Sequence, residues 1–192
     1  MHTPAHVAAS LLIWRKAANW KETLAVIAGA ILPDASMFLF YGYQKLIGST
    51  EHEIWSKLYF QDSWQLFFDV FNSIPIFLVL AIFAHFTGRR ILFLVVASAL
   101  VHVLCDFPLH NDDAHRHFLP LTHWRFNSPV SYWDPKHFGV YTIIVELLFA
   151  VSSSFYLAVG DFKRSVRVTA GCVLGLYALV FLAGFSYWCR KA

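Results

Sequence analysis

Ionisable side chains interrupt the apolar stretches of this sequence at a few places: His6, Asp34, His102, Asp106 and Glu146. Such a side chain inside an apolar helix is costly and usually serves a function. His102 and Asp106 are four residues apart, so on a helix they share one face and can hold one ion. Imidazole with carboxylate suits zinc, or manganese or iron where more oxygen ligands join. The spacing therefore predicts a divalent metal site.

More residues with metal-binding side chains follow directly after Asp106. They are His110, Asp112, Asp113, His115 and His117. We predict His110 and His117 as metal ligands beside His6, Asp34, His102 and Asp106. This ligand set suits one ion or two, and the sequence leaves that choice open. Asp112, Asp113 and Glu146 are the candidate general bases of a metal-assisted reaction.

Two arginines, Arg116 and Arg125, lie beside these candidate ligands. A guanidinium binds phosphate or carboxylate groups through paired hydrogen bonds. Each arginine is therefore a candidate to hold the group that a hydrolytic reaction transfers or releases. The alternative is that Arg125 meets lipid headgroups or a carboxylate such as Asp134.

The composition predicts a membrane protein. Hydrophobic residues make up 58% of the chain and charged residues 14%, against about 45–50% and about 25% in soluble domains. A soluble domain of this size has too little interior for so much apolar surface, whereas lipid solvates it. The basic residues form short clusters instead of one positive face, so we expect no nucleic-acid partner.

The apolar runs predict a single all-α domain over residues 1–192, an integral membrane bundle of five to six helices. The predicted helices cover residues 4–17, 22–43, 64–86, 91–106, 140–160 and 168–188. Thr3 is the expected N-cap of the first helix, and Pro33 is expected to interrupt the second. We expect the first and fourth helices to be short and packed inside the bundle, residues 44–63 to form a loop, and residues 107–139 to be irregular.

Short basic turns separate these helices at residues 15–21, 89–90 and 163–167. Alternating helix directions put all three turns on one side, and the positive-inside rule makes that side cytoplasmic. Measured along the helix axes from these turns, His6 and Asp34 lie at about 21 Å, His102 at about 18 Å and Glu146 at about 22 Å. The candidate ligands therefore converge at one depth, near the opposite, periplasmic face.

A set of motifs in this order resembles the YdjM-like family of predicted membrane-bound metal-dependent hydrolases. The motifs are His6 before an apolar run, Leu32-Pro33-Asp34, His102-x-x-x-Asp106, and Trp124-Arg125-Phe126 before Pro129. A longer run, from His102 through Asp134-Pro135, resembles the hallmark of a bacterial branch of that family. The resemblance implies an all-helical membrane fold with a metal site, located in a bacterial inner membrane.

The resemblance implies that His6, Asp34, His102 and Asp106 are ligands and, by likeness to zinc-dependent phospholipase C, that the reaction is phosphoester hydrolysis. Relatives carry an HRGxTHS-like motif where this chain reads residues 68–73 without a histidine. Asp69 and Asn72 are the candidate replacements at that place. The further candidate ligands are His2, His115 and His137.

The function that we expect is metal-dependent hydrolysis of a phosphoester or related bond in a lipid or lipid-linked substrate. One or two divalent ions, zinc before manganese or iron, would activate the attacking water. The first alternative is a metal-binding component of a transporter, since ionisable residues in membranes also mark ion pathways. The second is a non-catalytic scaffold derived from a hydrolase. The sequence indicates no oligomeric state.

Overall fold

The computed structural model describes the backbone of residues 1–189 and the side chains of residues 1–180, and every regular element in that part of the chain is helical. The α-helices are α1 Thr3–Ile13, α2 Trp20–Leu46, α3 Glu51–Glu53, α4 Asp62–Phe71, α5 Ile74–Phe86, α6 Arg90–Asp106, α7 Gly139–Val159 and α8 Arg164–Cys189. Residues 107–138 are irregular apart from two short 3-10 turns. The predicted all-α bundle is confirmed.

Four segments of the described chain are long and apolar enough to cross a membrane, which agrees with a multi-pass membrane protein. They are Trp20–Leu46, Asp62–Phe86, Arg90–Leu109 and Gly139–Val159. The expectation that the fourth predicted helix is short was wrong. The 3-10 turn Phe107–Leu109 continues α6 and brings this segment to 20 residues.

The long second helix passes Pro33 without a break, against our prediction. The proline lacks an N–H and leaves one turn without its usual hydrogen bond, yet the helix continues and packs extensively against α6. The contact is closest at Gly29, where an added Cβ would lie 2.0 Å from the carbonyl oxygen of Val95. Glycine at this position therefore lets α6 approach the backbone of α2.

The third predicted helix is divided at residues 72–73 into α4 and α5. Ser73 is the N-cap of α5, where its hydroxyl oxygen accepts a hydrogen bond from the Ile76 N–H at 3.2 Å. Pro75 in the first turn of α5 has no N–H to continue α4. The break frees the carbonyl oxygen of Asn72, which then accepts a hydrogen bond from His117 Nδ1 at 3.0 Å.

The N-terminal helix differs from the prediction at both ends. It begins at Thr3 after the N-cap His2, which makes no side-chain capping bond, and it ends at Ile13 instead of residue 17. Thr3 is therefore not the cap. Its hydroxyl donates to Asp34 Oδ2 at 2.5 Å and ties the start of α1 to the middle of α2.

The expected loop at residues 44–63 contains α3 and a five-residue π-helical turn, Ile54–Leu58. Thr50 and Glu53 form a capping box that starts α3. Behind this segment lies a buried aromatic cluster that includes Phe40, Tyr59 and Phe68. The cluster fixes the segment against α2 and α4, beside the irregular stretch of residues 107–138.

Candidate metal centre

Three buried side chains from α1 and α6 converge at the centre of the bundle. One ligand atom each of His6, His102 and Asp106 lies within 4.8 Å of the other two. His6 Nε2 is 3.1 Å from Asp106 Oδ1, and His102 Nε2 is 3.2 Å from Asp106 Oδ2. These atoms are close enough together to hold one metal ion.

The backbone of α2 sets the tautomer of His102. Its Nδ1 donates to the carbonyl oxygen of Ala30 at 2.7 Å, so Nε2 carries the free lone pair. That Nε2 is buried and finds no hydrogen-bond partner in the described part of the chain. It faces the Asp106 carboxylate, which is also an acceptor, so the two atoms repel each other unless a cation or proton lies between them. A backbone carbonyl behind a histidine in this way is the usual support of a metal ligand.

Asp34 and His110 extend this group on either side. Asp34 Oδ1 lies 3.5 Å from His102 Nε2. His110 Nε2 lies 3.5 Å from Asp106 Oδ2, while its Nδ1 pairs with Asp113 Oδ2 at 2.9 Å. Asp106 is therefore the shared carboxylate of the site. The backbone nitrogen of Met1 also contacts Asp106.

A cavity of about 80 Å³ opens beside Asp106. The carboxylate, imidazole and amide side chains in its wall are Asp34, Asn72, Asp106, His110, Asp113 and His115. His110 Nε2 and Asp113 Oδ1 are both buried and without a hydrogen-bond partner among residues 1–180. The cavity is partly polar and is large enough for a water-sized ligand next to Asp106.

Asp69 organises a second polar group around the start of α5. Its buried carboxylate accepts hydrogen bonds from the backbone N–H and the Nε of Arg116. His115 Nδ1 lies 3.5 Å and Arg125 Nη2 3.8 Å from the same carboxylate. The two arginines thus face Asp69, and neither is among the residues that line the cavity.

Asn72 and His117 meet through the backbone instead of sharing an ion. The side-chain amide of Asn72 donates to the Phe68 carbonyl oxygen at 3.0 Å. His117 has its Nδ1 on the Asn72 carbonyl oxygen, and its buried Nε2 is unpaired within the described residues. His117 is thus set up as a histidine with a free ring nitrogen, but it lies outside the His6, His102 and Asp106 group.

Glu146 from α7 binds the N-terminus and does not join the three-residue group. Its carboxylate accepts hydrogen bonds from the His2 backbone N–H at 3.2 Å and from the Tyr177 hydroxyl at 3.1 Å. The imidazole of His2 also lies 2.9 Å from it. His137, the remaining candidate ligand, pairs with Asp134 at 2.7 Å.

The histidines outside the membrane-spanning segments differ in their protonation. Burial lowers the pKa of His110, but the nearby carboxylates of Asp106 and Asp113 outweigh it and raise the pKa to about 9. Burial, with repulsion from His115, lowers the pKa of His117 to about 4. The pKa of Asp113 is lowered because hydrogen bonding to His110 outweighs the effect of burial. Without a metal, His110 and Asp113 therefore form an ion pair at neutral pH.

Sequence reasoning missed several residues of the site. The Ala30 carbonyl orients His102, Thr3 binds Asp34, and Tyr59 and Tyr132 line the cavity. Each contact joins segments far apart in the chain, so no local pattern marks these residues. The motif Leu32-Pro33-Asp34 marks the turn of α2 that carries Asp34. It does not indicate that the Ala30 carbonyl, one turn earlier, binds His102.

Comparison with known proteins adds no family to this description: no protein-family model, curated protein or solved structure matches the chain. The likeness to the YdjM-like hydrolases therefore remains an expectation that rests on motifs alone.

Proposed function

We propose that this protein is a membrane-embedded metal-dependent hydrolase that cleaves a phosphoester or related bond in a lipid or lipid-linked substrate. The observation that carries the proposal is the unpaired, buried Nε2 of His102 facing Asp106, with His6 beside both. A divalent cation, zinc before manganese or iron, satisfies all three groups at once. His110 and Asp34 lie close enough to complete the coordination of this ion or to hold a second one.

The bound ion would polarise the scissile group and lower the pKa of the attacking water. Asp113 is the best-placed general base, because its unpaired Oδ1 is buried and its side chain lines the cavity. Glu146 is occupied by His2 and Tyr177, and Asp112 is exposed. In this mechanism, Arg116 and Arg125 remain bound to Asp69. Either arginine would have to break that contact before it could bind the substrate.

We further propose a bacterial inner membrane as the location, with the site toward the periplasm. The support is the cluster of basic residues in the turns before α2, before α6 and before α8. Asp106 lies at the far end of α6 and Asp34 in the middle of α2, so both candidate ligands are away from those turns.

Elemental analysis of the detergent-purified protein is the direct test. We expect about one or two bound metal ions per chain in the wild type, and loss of bound metal in His102→Ala and in Asp106→Ala. His85→Ala is the matched control, because His85 is exposed near the C-terminal end of α5 and is not part of the metal centre. Hydrolysis of lipid phosphoesters should disappear in the same two variants.

A wild type that stays metal-free after incubation with zinc, manganese and iron would contradict the proposal. The polar centre would then be a structural network of a non-catalytic scaffold. Turnover that persists in His102→Ala would contradict the mechanism even if a metal is bound.

A further inference from the structure

An open cleft of about 490 Å³ adjoins the metal cavity and is walled by aromatic rings. The lining residues are Met37, Trp55, Tyr59, Phe60, Asp112, Asp113, Tyr132 and Trp133. The rings come from two places, the π-helical turn with the residues after it and the irregular segment of residues 107–138. The cleft therefore exists only because the fold brings these two segments together.

The cleft and the cavity share part of their wall. Met37, Tyr59, Asp113 and Tyr132 line both. A molecule seated in the cleft thus extends directly to Asp106 and the candidate metal ligands. Whatever the cleft recognises is, on our proposed function, the part of the substrate next to the bond that is cut.

The charged residues of this wall are both acidic. Asp113 is bound by His110 and by the indole N–H of Trp133 at 3.1 Å. Asp112 is exposed, and it forms no ion pair with any residue whose side chain the structure describes. The wall holds no lysine or arginine, so an anionic group is unfavourable in the cleft and a cation is favoured.

Aromatic faces joined to carboxylates are the chemistry that binds alkylammonium groups. A cation over an aromatic ring is attracted by the ring quadrupole, and cages of such rings recognise quaternary ammonium ligands. Trp55, Phe60 and Trp133 are 44%, 50% and 49% exposed, so their surfaces are open to a ligand. The carboxylate of Asp112 adds a charge that a neutral apolar ligand would not need.

The surroundings of the cleft match the headgroup level of a membrane. Leu46 and Ile47, at the end of the candidate spanning helix α2, are 88% and 59% exposed, and Trp55 follows eight residues after Ile47. Tryptophan and tyrosine concentrate at membrane–water interfaces. A cationic ligand at this level is most simply the headgroup of a lipid.

We propose that this cleft binds the alkylammonium headgroup of a membrane phospholipid, of the choline or ethanolamine class. The inference rests on the proposed hydrolase function for its consequence, which is that the adjacent phosphoester enters the metal cavity. The binding itself requires neither a metal nor turnover. It therefore defines the substrate class through Trp55, Phe60, Asp112 and Trp133, which line the cleft but not the metal cavity.

Choline binding to detergent-purified protein, followed by saturation-transfer NMR, tests the cleft. The control ligand is 3,3-dimethylbutan-1-ol, which has the shape of choline without its charge. We expect saturable binding of choline, and a dissociation constant for the alcohol that is about tenfold larger than the one for choline. Trp55→Leu and Asp112→Asn should each weaken choline binding several-fold.

Matched variants distinguish the cleft from general surface effects. Trp124→Leu removes an exposed tryptophan of the same irregular segment, and Asp62→Asn removes an exposed carboxylate elsewhere. Neither residue lines the cleft, so both variants should bind choline like the wild type. Equal binding of choline and the alcohol, or unchanged choline binding in both Trp55→Leu and Asp112→Asn, would overturn the inference.

Two further measurements separate this inference from the hydrolase proposal and identify the source of the headgroup. His102→Ala should lose its metal but keep choline binding, whereas a metal-loaded wild type without a preference for choline would overturn the cleft alone. In nanodiscs, phosphatidylcholine should compete with free choline and phosphatidylglycerol should not. Equal choline binding in both lipids would rule out a lipid headgroup as the occupant.

Discussion

The imidazole of His6 stacks on the imidazole of His102, with ring centroids 3.5 Å apart and planes 7° from parallel. Two protonated rings at this distance would repel each other strongly, because burial removes the water that screens them. An imidazole binds a metal only in its neutral form, so this stack suits a pair of metal ligands. The Nε2 atoms of both rings face the Asp106 carboxylate, so a single cation held by these nitrogens and the carboxylate satisfies the site.

Asp106→Asn should remove most of the metal affinity while leaving the shape of the site nearly unchanged. The carboxylate faces His6, His102 and His110, and an amide lacks the negative charge that balances a divalent ion. We expect affinity to fall by about 100-fold or more, beyond what loss of a supporting residue costs. Competition with a zinc chelator measures this, with Asp62→Asn as the control; unchanged affinity would exclude Asp106 as a ligand.

Gly29→Ala should destabilise the bundle and weaken the metal site together. The added Cβ would lie 2.0 Å from the Val95 carbonyl oxygen, so α2 and α6 must move apart. We expect a loss of about 1–3 kcal/mol in the free energy of unfolding. The shift also lengthens the His102 contact to Ala30. Thermal unfolding in detergent and chelator competition report the two effects.

Gly42→Ala is the matched control in the same helix. A Cβ at this position meets no atom within 4 Å, and alanine favours the helix by up to about 1 kcal/mol. Its melting temperature should equal or exceed that of the wild type. Equal melting temperatures for Gly29→Ala and the wild type would contradict the close approach of α2 and α6.

The metal-free protein should lose stability as the pH falls from about 6.5 to about 4, in part through His117. Burial and the neighbouring His115 lower the pKa of His117 to about 4 in the folded chain, against about 6.5 when unfolded. The unfolded state then binds the proton first, so the contribution is complete above pH 6.5 and is lost below it. Its size is at most about 3 kcal/mol.

His117→Gln removes this titration. Denaturant unfolding of the metal-free protein at pH 7 and pH 4.5 should show a smaller loss of stability in the variant than in the wild type. An equal or larger loss in His117→Gln would mean that His117 is already accessible to protons in the folded state.

Asp69→Asn should destabilise the protein more than the double variant Asp69→Asn with Arg116→Gln. Asp69 is fully buried and accepts hydrogen bonds from Arg116, so its removal leaves a guanidinium with no charge partner. Breaking a buried pair costs about 3–5 kcal/mol, and removing both charges restores part of this. Unfolding free energies of the single and double variants form the cycle; additive losses would show that the two residues are independent.

Patterns in neighbouring residues were sufficient to predict the apolar helices and the types of residue in the candidate site. Helix length and apolar content depend on neighbouring residues, so five of the six predicted helices are single elements in the structure, with shifted ends. His102 and Asp106 share a face because they are four residues apart on one helix, and this spacing holds in any tertiary context.

Tertiary packing decided which candidates meet. The third predicted helix is divided because Ser73 and Pro75 favour a new start over continuation, whereas α2 continues past Pro33 and packs against α6. Asp34 reaches His102 and Glu146 turns to His2, although both lie at similar predicted depths. Depth along a helix follows from sequence, whereas the direction of a side chain depends on how the helices rotate and pack against each other.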